Sequence, residues 1–316
     1  MRRRTPAVPG HPAPAPALDR TAGGTQPAGG PGPAAGDQPP TAGGSESRPA
    51  ERDGTGAPGG ARNGPILVLS YAHSGAGQVQ EMLAADTGLA CTSSTGIVPL
   101  AATAAEAWHR VEGQTGTAMS RLAISTIRGL LTAQLAVILA GSGKSRWCEL
   151  VTAPPGAADP FLQVFPQTGF VCVHRSCADV VRAGVQASPW GVYGPVLMPY
   201  FLSYPGNSVA ALAAYWVSST EQLLAFERAN AGAAHRLRYE DVRAGPGQAL
   251  AAVRAALGLG KAASDGAPPE PSGPDAAGPP APGPAMPAEA IPEPLRERIG
   301  RLHGELGYPP PEWVMP

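Results

Sequence analysis

Apolar residues fall into a few short unbroken runs separated by stretches of helical spacing. Residues 65–70 are continuously apolar up to Ser70, and the chain then breaks into the small-residue segment Ser74-Gly75-Ala76-Gly77. A second run, 169–174, ends at His174 and Arg175, and a mixed segment at 146–151 also reads as a strand. Strands that are apolar on both faces belong inside a parallel sheet. The spacing between and after them predicts helices at 76–86, around 100–110 and 117–140, and at 157–165, 177–187, 207–230 and 246–257, with a further strand at 235–239. A loop rich in Pro, Gly and aromatic residues occupies 188–206. Strands alternating with helices predict an α/β fold, a central parallel sheet covered on both faces. Right-handed crossovers collect the C-terminal strand ends along one edge, where ligands bind. Residues 70–77, Arg175 and Tyr239 fall on that edge.

Composition limits how much of the 316-residue chain can fold. Residues 1–63 are Pro, Gly, Ala, Thr and Ser with almost no large apolar side chain, and they are expected to be disordered. Residues 262–286 read as a Pro-rich linker. One domain remains at 64–261, followed by a C-terminal helix and tail at 287–316. A net charge of −1 offers no field to recruit nucleic acid or a membrane surface. Arg2-Arg3-Arg4 is followed by no apolar run of signal-peptide length. Leu130 to Ala140 is the most apolar stretch, but it falls short of the ~20 residues of a membrane span and reads as a buried helix. Cys91, Cys148, Cys172 and Cys177 show no Cys-x-x-Cys spacing and read as small buried hydrophobes in a reducing, cytoplasmic compartment. Six scattered histidines show no metal-ligand spacing, so no metal is expected.

The chemistry starts at the first loop. A buried strand, a Gly-containing turn and a helix N-terminus form an anion site, because the first N–H groups of a helix lack intrahelical acceptors. The segment Gly141-Ser142-Gly143-Lys144-Ser145 resembles the end of a phosphate-binding motif, but Ile138 stands where that motif needs Gly. It also follows a helix and precedes a strand, the reverse order, so it reads as a helix C-cap. Arg175, ending a buried strand and preceding a helix, suits bidentate phosphate binding. Ser176 and Asp179 have the spacing of a helix cap.

Three pieces in this order resemble the sulfotransferases that use 3′-phosphoadenosine 5′-phosphosulfate (PAPS). They are the strand-loop-helix at 65–83, the Arg175 element with Asp179-Val180-Val181, and Arg238-Tyr239-Glu240-Asp241-Val242 before a helix. The resemblance covers about 65–260, with a terminal helix near 290–306. It implies a three-layer sandwich with a central parallel sheet, the P-loop-like sulfotransferase fold. It also implies PAPS as co-substrate and sulfuryl transfer to a hydroxyl or phenol on a small molecule or peptide. By the same resemblance, Ser74, Gly75, Ala76 and Gly77 hold the 5′-phosphosulfate, Arg175 holds the 3′-phosphate, and Tyr239 lies beside the adenine.

His73 stands where the family has Lys or Arg, and Ala76 and Gly77 replace its Thr pair. Ala183 stands in for a second 3′-phosphate ligand. His73 and Glu149 are the catalytic candidates, the latter because Trp147-Cys148-Glu149 resembles a family segment. A non-catalytic relative that binds a nucleotide or a partner through a degraded loop is the alternative. Acceptor identity and oligomeric state are left open.

Overall fold

The computed structural model describes residues 64–86, 88–113, 118–152, 155–187, 194–259, 286–311 and 313–314. The expected disordered arm (1–63) and all but the last residue of the expected linker lie outside the described residues, as do 188–193 of the aromatic loop. Five parallel strands form the central sheet: β1 (Ile66–Leu69), β2 (Leu89–Ser93), β3 (Arg146–Val151), β4 (Gly169–His174) and β5 (Ala234–Arg238), in the order β2-β3-β1-β4-β5. Central β1 pairs residue for residue with Cys148–Val151 on one side and Gly169–Cys172 on the other. All four of its side chains are buried, which is why it is apolar on both faces. Met286–Pro287 and Trp313–Val314 form a separate two-stranded ladder, β6 and β7.

Among the described residues ten α-helices pack around the sheet: α1 (Ala76–Ala84), α2 (Ile97–Glu112), α3 (Arg121–Ser142), α4 (Asp159–Val164), α5 (Cys177–Ala187), α6 (Met198–Ser203), α7 (Ser208–Ala229), α8 (Tyr239–Ala244), α9 (Pro246–Ala256) and α10 (Glu293–Leu306). On one face Leu67, Leu69, Trp147, Phe170 and Cys172 meet Ile97 of α2, Ile127 of α3, Phe161 of α4, Val180 of α5, Trp216 of α7 and Ile299 of α10. On the other face Ile66, Val68, Cys148 and Val171 meet Val79 and Leu83 of α1, Val242 of α8 and Val253 of α9. The chain leaving β1 therefore turns to one face, while the chains leaving the flanking β3 and β4 turn to the other. Connections that diverge from neighbouring strands open a crevice at their C-terminal ends, the position where α/β sheets take ligands.

Three features differ from the sequence expectation, the first being helix α6 within the expected loop 188–206. Edge strand β2 was not expected, because only Leu89 and Ala90 of its five residues are buried and its polar end obscures any period. The apolar helix α3 runs over 121–142 where 117–140 was expected, and is not a buried helix. Only the stripe Ala123, Ile127, Leu131 and Leu135 is buried, and Leu122, Leu130 and Val137 face outward. Its 22 residues are long and apolar enough to cross a membrane by length and composition, yet its inner stripe packs on the sheet and Arg128 Nε donates to the Val164 carbonyl at 2.8 Å. Gly143 ends α3 with φ 65°, the left-handed cap expected of the Gly-Ser-Gly segment.

Candidate active site at the sheet edge

The turn between β1 and α1 is held from several sides. Gly75 precedes α1 with φ 81°, and a Cβ there would sit 2.3 Å from the Tyr239 ring, so only Gly permits this approach. No side chain caps α1, and its first turn carries no acidic residue. The N–H groups of Ala76 and Gly77 thus open an anion site with no carboxylate in the helix's first turn. Gly77 borders open space. Ser74 donates its backbone N–H to the Tyr71 carbonyl at 3.2 Å, so that group serves the turn and not a ligand. Its hydroxyl, by contrast, is buried without a hydrogen-bond partner. Buried polar atoms are normally satisfied, and an orphan facing an anion cradle fits a ligand oxygen.

His73 adopts φ 63°, a left-handed conformation that histidine tolerates better than most side chains. Its carbonyl accepts from Arg175 Nη1 at 2.9 Å, and its imidazole lies 3.4 Å from where a Cβ on Gly184 would be. Residues Ser70 to Gln78, with Glu81, Leu150 and Thr152, line a cleft of ≈ 200 Å³.

Arg175 and Tyr239 support this loop from behind. The guanidinium sits over the Tyr239 ring, 4.7 Å from its centroid, and Arg175 is 8 % exposed. The Tyr239 hydroxyl donates to Gln78 Oε1, and the residue is 3 % exposed, so it packs under Gly75 and presents no free face. The Arg175 main chain is clamped in turn. The Tyr71 hydroxyl donates to its carbonyl at 3.1 Å and accepts from its N–H at 3.0 Å, and Trp216 Nε1 donates to the same carbonyl at 2.8 Å. Burial pushes the Tyr71 hydroxyl far above the usual tyrosine range, which keeps it protonated for this role. Tyr215 accepts from the Ala72 N–H at 2.8 Å. These three aromatic positioning residues were not singled out for that role by sequence. Their signal is long-range contact, which no local pattern carries.

Glu149 is elsewhere. Its Oε1 accepts from the Thr95 N–H at 2.8 Å and the Thr95 hydroxyl at 2.9 Å, and its Oε2 accepts from the Thr92 hydroxyl. Thr92 also accepts from Trp147 Nε1 at 2.7 Å. The carboxylate is engaged in fastening β2 to β3, and Leu150 of the same strand and Thr152 just after it, not Glu149, line the cleft. The structure therefore gathers His73, Ser74, Gly75, Ala76, Gly77, Arg175 and Tyr239 at one loop and leaves Glu149 out.

A second layer ties the C-terminus to the site. The Ser176 N–H donates to Glu240 Oε1 at 2.8 Å, and the Tyr308 hydroxyl donates to Glu240 Oε2 at 2.9 Å. Burial raises the Glu240 pKa, with the Ser176 contact opposing. Behind β4, His174 Nε2 donates to Glu227 Oε1 at 2.7 Å while Arg236 holds Oε2. Burial would raise the Glu227 pKa, but these two partners overcome it and hold the carboxyl below the usual range.

Residues 65–262 match the sulfotransferase family. With well over half of the chain matched, the protein belongs to the sulfotransferase family. Among solved structures it is similar to the sulfotransferase domain from the curacin biosynthetic pathway, at 14 % identity over 80 % of this chain and 100 % of that one, with a TM-score of 0.51. A sulfotransferase from Mycobacterium tuberculosis H37Rv matches at 14 % identity over 63 % of this chain and 68 % of that one, with a TM-score of 0.39. The first likeness supports the same α/β fold. No curated protein matches the chain.

Proposed function

We propose that the protein is a PAPS-dependent sulfotransferase acting on a hydroxyl or phenol of a small molecule or peptide. The observation that carries this is the uncapped N-terminus of α1 behind Gly75, with the unpartnered Ser74 hydroxyl in the same cleft. PAPS would supply the sulfuryl group: an O–S bond forms to the acceptor, the S–O bond to the 5′-phosphate breaks, and adenosine 3′,5′-bisphosphate and the acceptor's proton are released. The Ala76 and Gly77 N–H groups and the Ser74 hydroxyl would bind the 5′ end. Arg175 would hold the loop through His73 and offer charge to the 3′-phosphate. The His73 imidazolium would stabilise charge on the departing oxygen, the role that positioning and electrostatics play in group transfer of this kind. Glu149, engaged by Thr92 and Thr95, has no part in this reading. A cytoplasmic setting is proposed from cysteine usage alone; the four cysteines are free thiols.

The test is calorimetry with adenosine 3′,5′-bisphosphate, followed by turnover of PAPS with a panel of phenols and alcohols. Binding without turnover of any acceptor favours the non-catalytic reading, for which Ala76, Gly77 and Ala183 in place of hydroxyl-bearing residues are the motive. Absence of nucleotide binding refutes the enzyme and leaves, of the non-catalytic reading, only its partner-binding form.

A further inference from the structure

A smaller cavity adjoins the cleft. Ser70, Tyr71 and Thr152 line both spaces, so the two meet at the C-terminal ends of β1 and β3. The far wall of the smaller one, ≈ 70 Å³ in volume, is built by α6 and by one face of α7. On α7, Tyr215, Ser219, Gln222 and Leu223 follow the spacing that places residues on a single helix face. Tyr200 and Tyr215 meet edge to face there, centroids 5.4 Å apart at 74°. Val196 lines the cavity and is itself 57 % exposed, so it marks the open side.

Three properties of this space define an occupant. None of the lining residues among those described carries a charge, so a carboxylate or ammonium entering it would lose water and gain no partner. The walls are aromatic and arranged as aromatic rings pack against one another. The volume is below the ~150 Å³ in which a protein cavity is known to enclose benzene, so a single ring fits only with its far end toward the opening. At the inner end, where the spaces meet, the Ser70 hydroxyl is buried without a partner, and Ser70 is 5 % exposed. An orphaned hydroxyl at the inner end of an uncharged pocket calls for one polar atom on the ligand, placed there.

We propose that this cavity is the acceptor subsite, that it takes an uncharged single-ring phenol, and that Ser70 positions the phenol hydroxyl at the mouth of the cleft. The proposal rests on the sulfotransferase reading only for the name acceptor; the cavity's choice of ligand stands on its own walls. Tyr215 connects the two spaces, because its ring lines the cavity while its hydroxyl accepts from Ala72 of the loop. A ring seated against Tyr215 therefore also braces the loop, so phenol and nucleotide are expected to bind more tightly together than apart.

The test measures binding of 4-methylphenol, toluene, 4-hydroxybenzoate and 2-naphthol to the full chain, with and without adenosine 3′,5′-bisphosphate. The expected order places 4-methylphenol at least tenfold ahead of each of the others. Ser70→Ala should erase its advantage over toluene while leaving toluene affinity in place. Gln222→Arg should bring 4-hydroxybenzoate level with 4-methylphenol, and Tyr200→Ala should weaken every ring. Wild-type binding of 4-hydroxybenzoate or 2-naphthol as tight as that of 4-methylphenol overturns the proposal, as does an undiminished preference over toluene in Ser70→Ala. The nucleotide arm is separate: if no nucleotide binds, the sulfuryl-transfer reading falls, while the four small ligands still decide what the cavity accepts.

Discussion

Replacing Arg175 with Ala separates two jobs that one guanidinium performs in the proposed enzyme. The first is to hold the loop. Its donation to the His73 carbonyl at 2.9 Å is a charge-assisted hydrogen bond, in a class worth about 1.5–3 kcal/mol when intact. Its position over the Tyr239 ring adds about 0.5–1 kcal/mol. Part of that sum is recovered by water and loop relaxation, so a nucleotide with only a 5′-phosphate is expected to lose about 1 kcal/mol, or roughly fivefold. The second job is contact with the 3′-phosphate, which adds a loss of about 1.5–3 kcal/mol for adenosine 3′,5′-bisphosphate alone. The ratio of the two affinities should therefore fall by about 10- to 100-fold. Tyr71 and Trp216 grip the Arg175 main chain and not its side chain, so the junction of β4 and α5 should stay in place. Calorimetric titration of adenosine 3′,5′-bisphosphate and adenosine 5′-monophosphate into wild type and Arg175→Ala reads both numbers directly. An unchanged ratio, with both ligands weakened equally, would show that Arg175 is a loop clamp and nothing more.

Gly75→Ala forces a left-handed backbone on a side-chain-bearing residue, at about 1–2 kcal/mol, and drives a Cβ into the Tyr239 ring. Nucleotide affinity should drop more than tenfold by calorimetry, and unaltered binding would contradict the placement of the loop. His73→Lys should keep its positive charge as pH rises from about 5.5 to 8.5, whereas wild-type nucleotide binding should weaken across the ordinary histidine range. Identical pH profiles would remove His73 from the phosphosulfate. Burial lowers the His303 pKa, with the Pro309 carbonyl opposing, so the folded chain resists a proton that the unfolded chain takes up near pH 6.5. The stability this protects is present above pH 6.5 and declines as pH falls toward the folded value. The melting temperature of His303→Gln should accordingly depend less on pH between about 7.5 and 5 than that of wild type.

What the sequence revealed and what it hid have a common physical cause. Strands β1 and β4 were legible because both faces are buried, so composition alone marks them. The loop and Arg175 followed from those strands, since each lies directly at a strand end. Strand β2 sits at the sheet edge with one end polar, and no periodic signal survives there. That omission hid the setting of Glu149: without β2, the carboxylate had no visible partner, whereas Thr92 and Thr95 of that strand and its exit turn donate to it. The aromatic clamp was hidden for a different reason. Tyr71, Trp216 and Tyr215 act on residues 104, 41 and 143 positions away, and such contacts exist only after folding. The exposure of α3 was hidden as well, because an apolar helix shows the same sequence whether or not its outer face is covered.

The contacts made by α10 impose an order on how the protein comes into being. His303 accepts from the Cys177 N–H at the start of α5, and its ring packs on Trp216. Tyr308 reaches Glu240, which holds Ser176, the neighbour of Arg175. Arg236 and Arg238 of edge strand β5 donate to the carbonyls of Glu305 and Gly307. Every one of these fastenings comes from residues synthesised after the sheet, its loop and Arg175 are already out of the ribosome. A nascent chain thus carries the anion cradle until residues 293–308 are made, but without the latch that steadies the β4–α5 corner. A chain interrupted before α10 would therefore hold the cradle's residues without the setting that makes them a site.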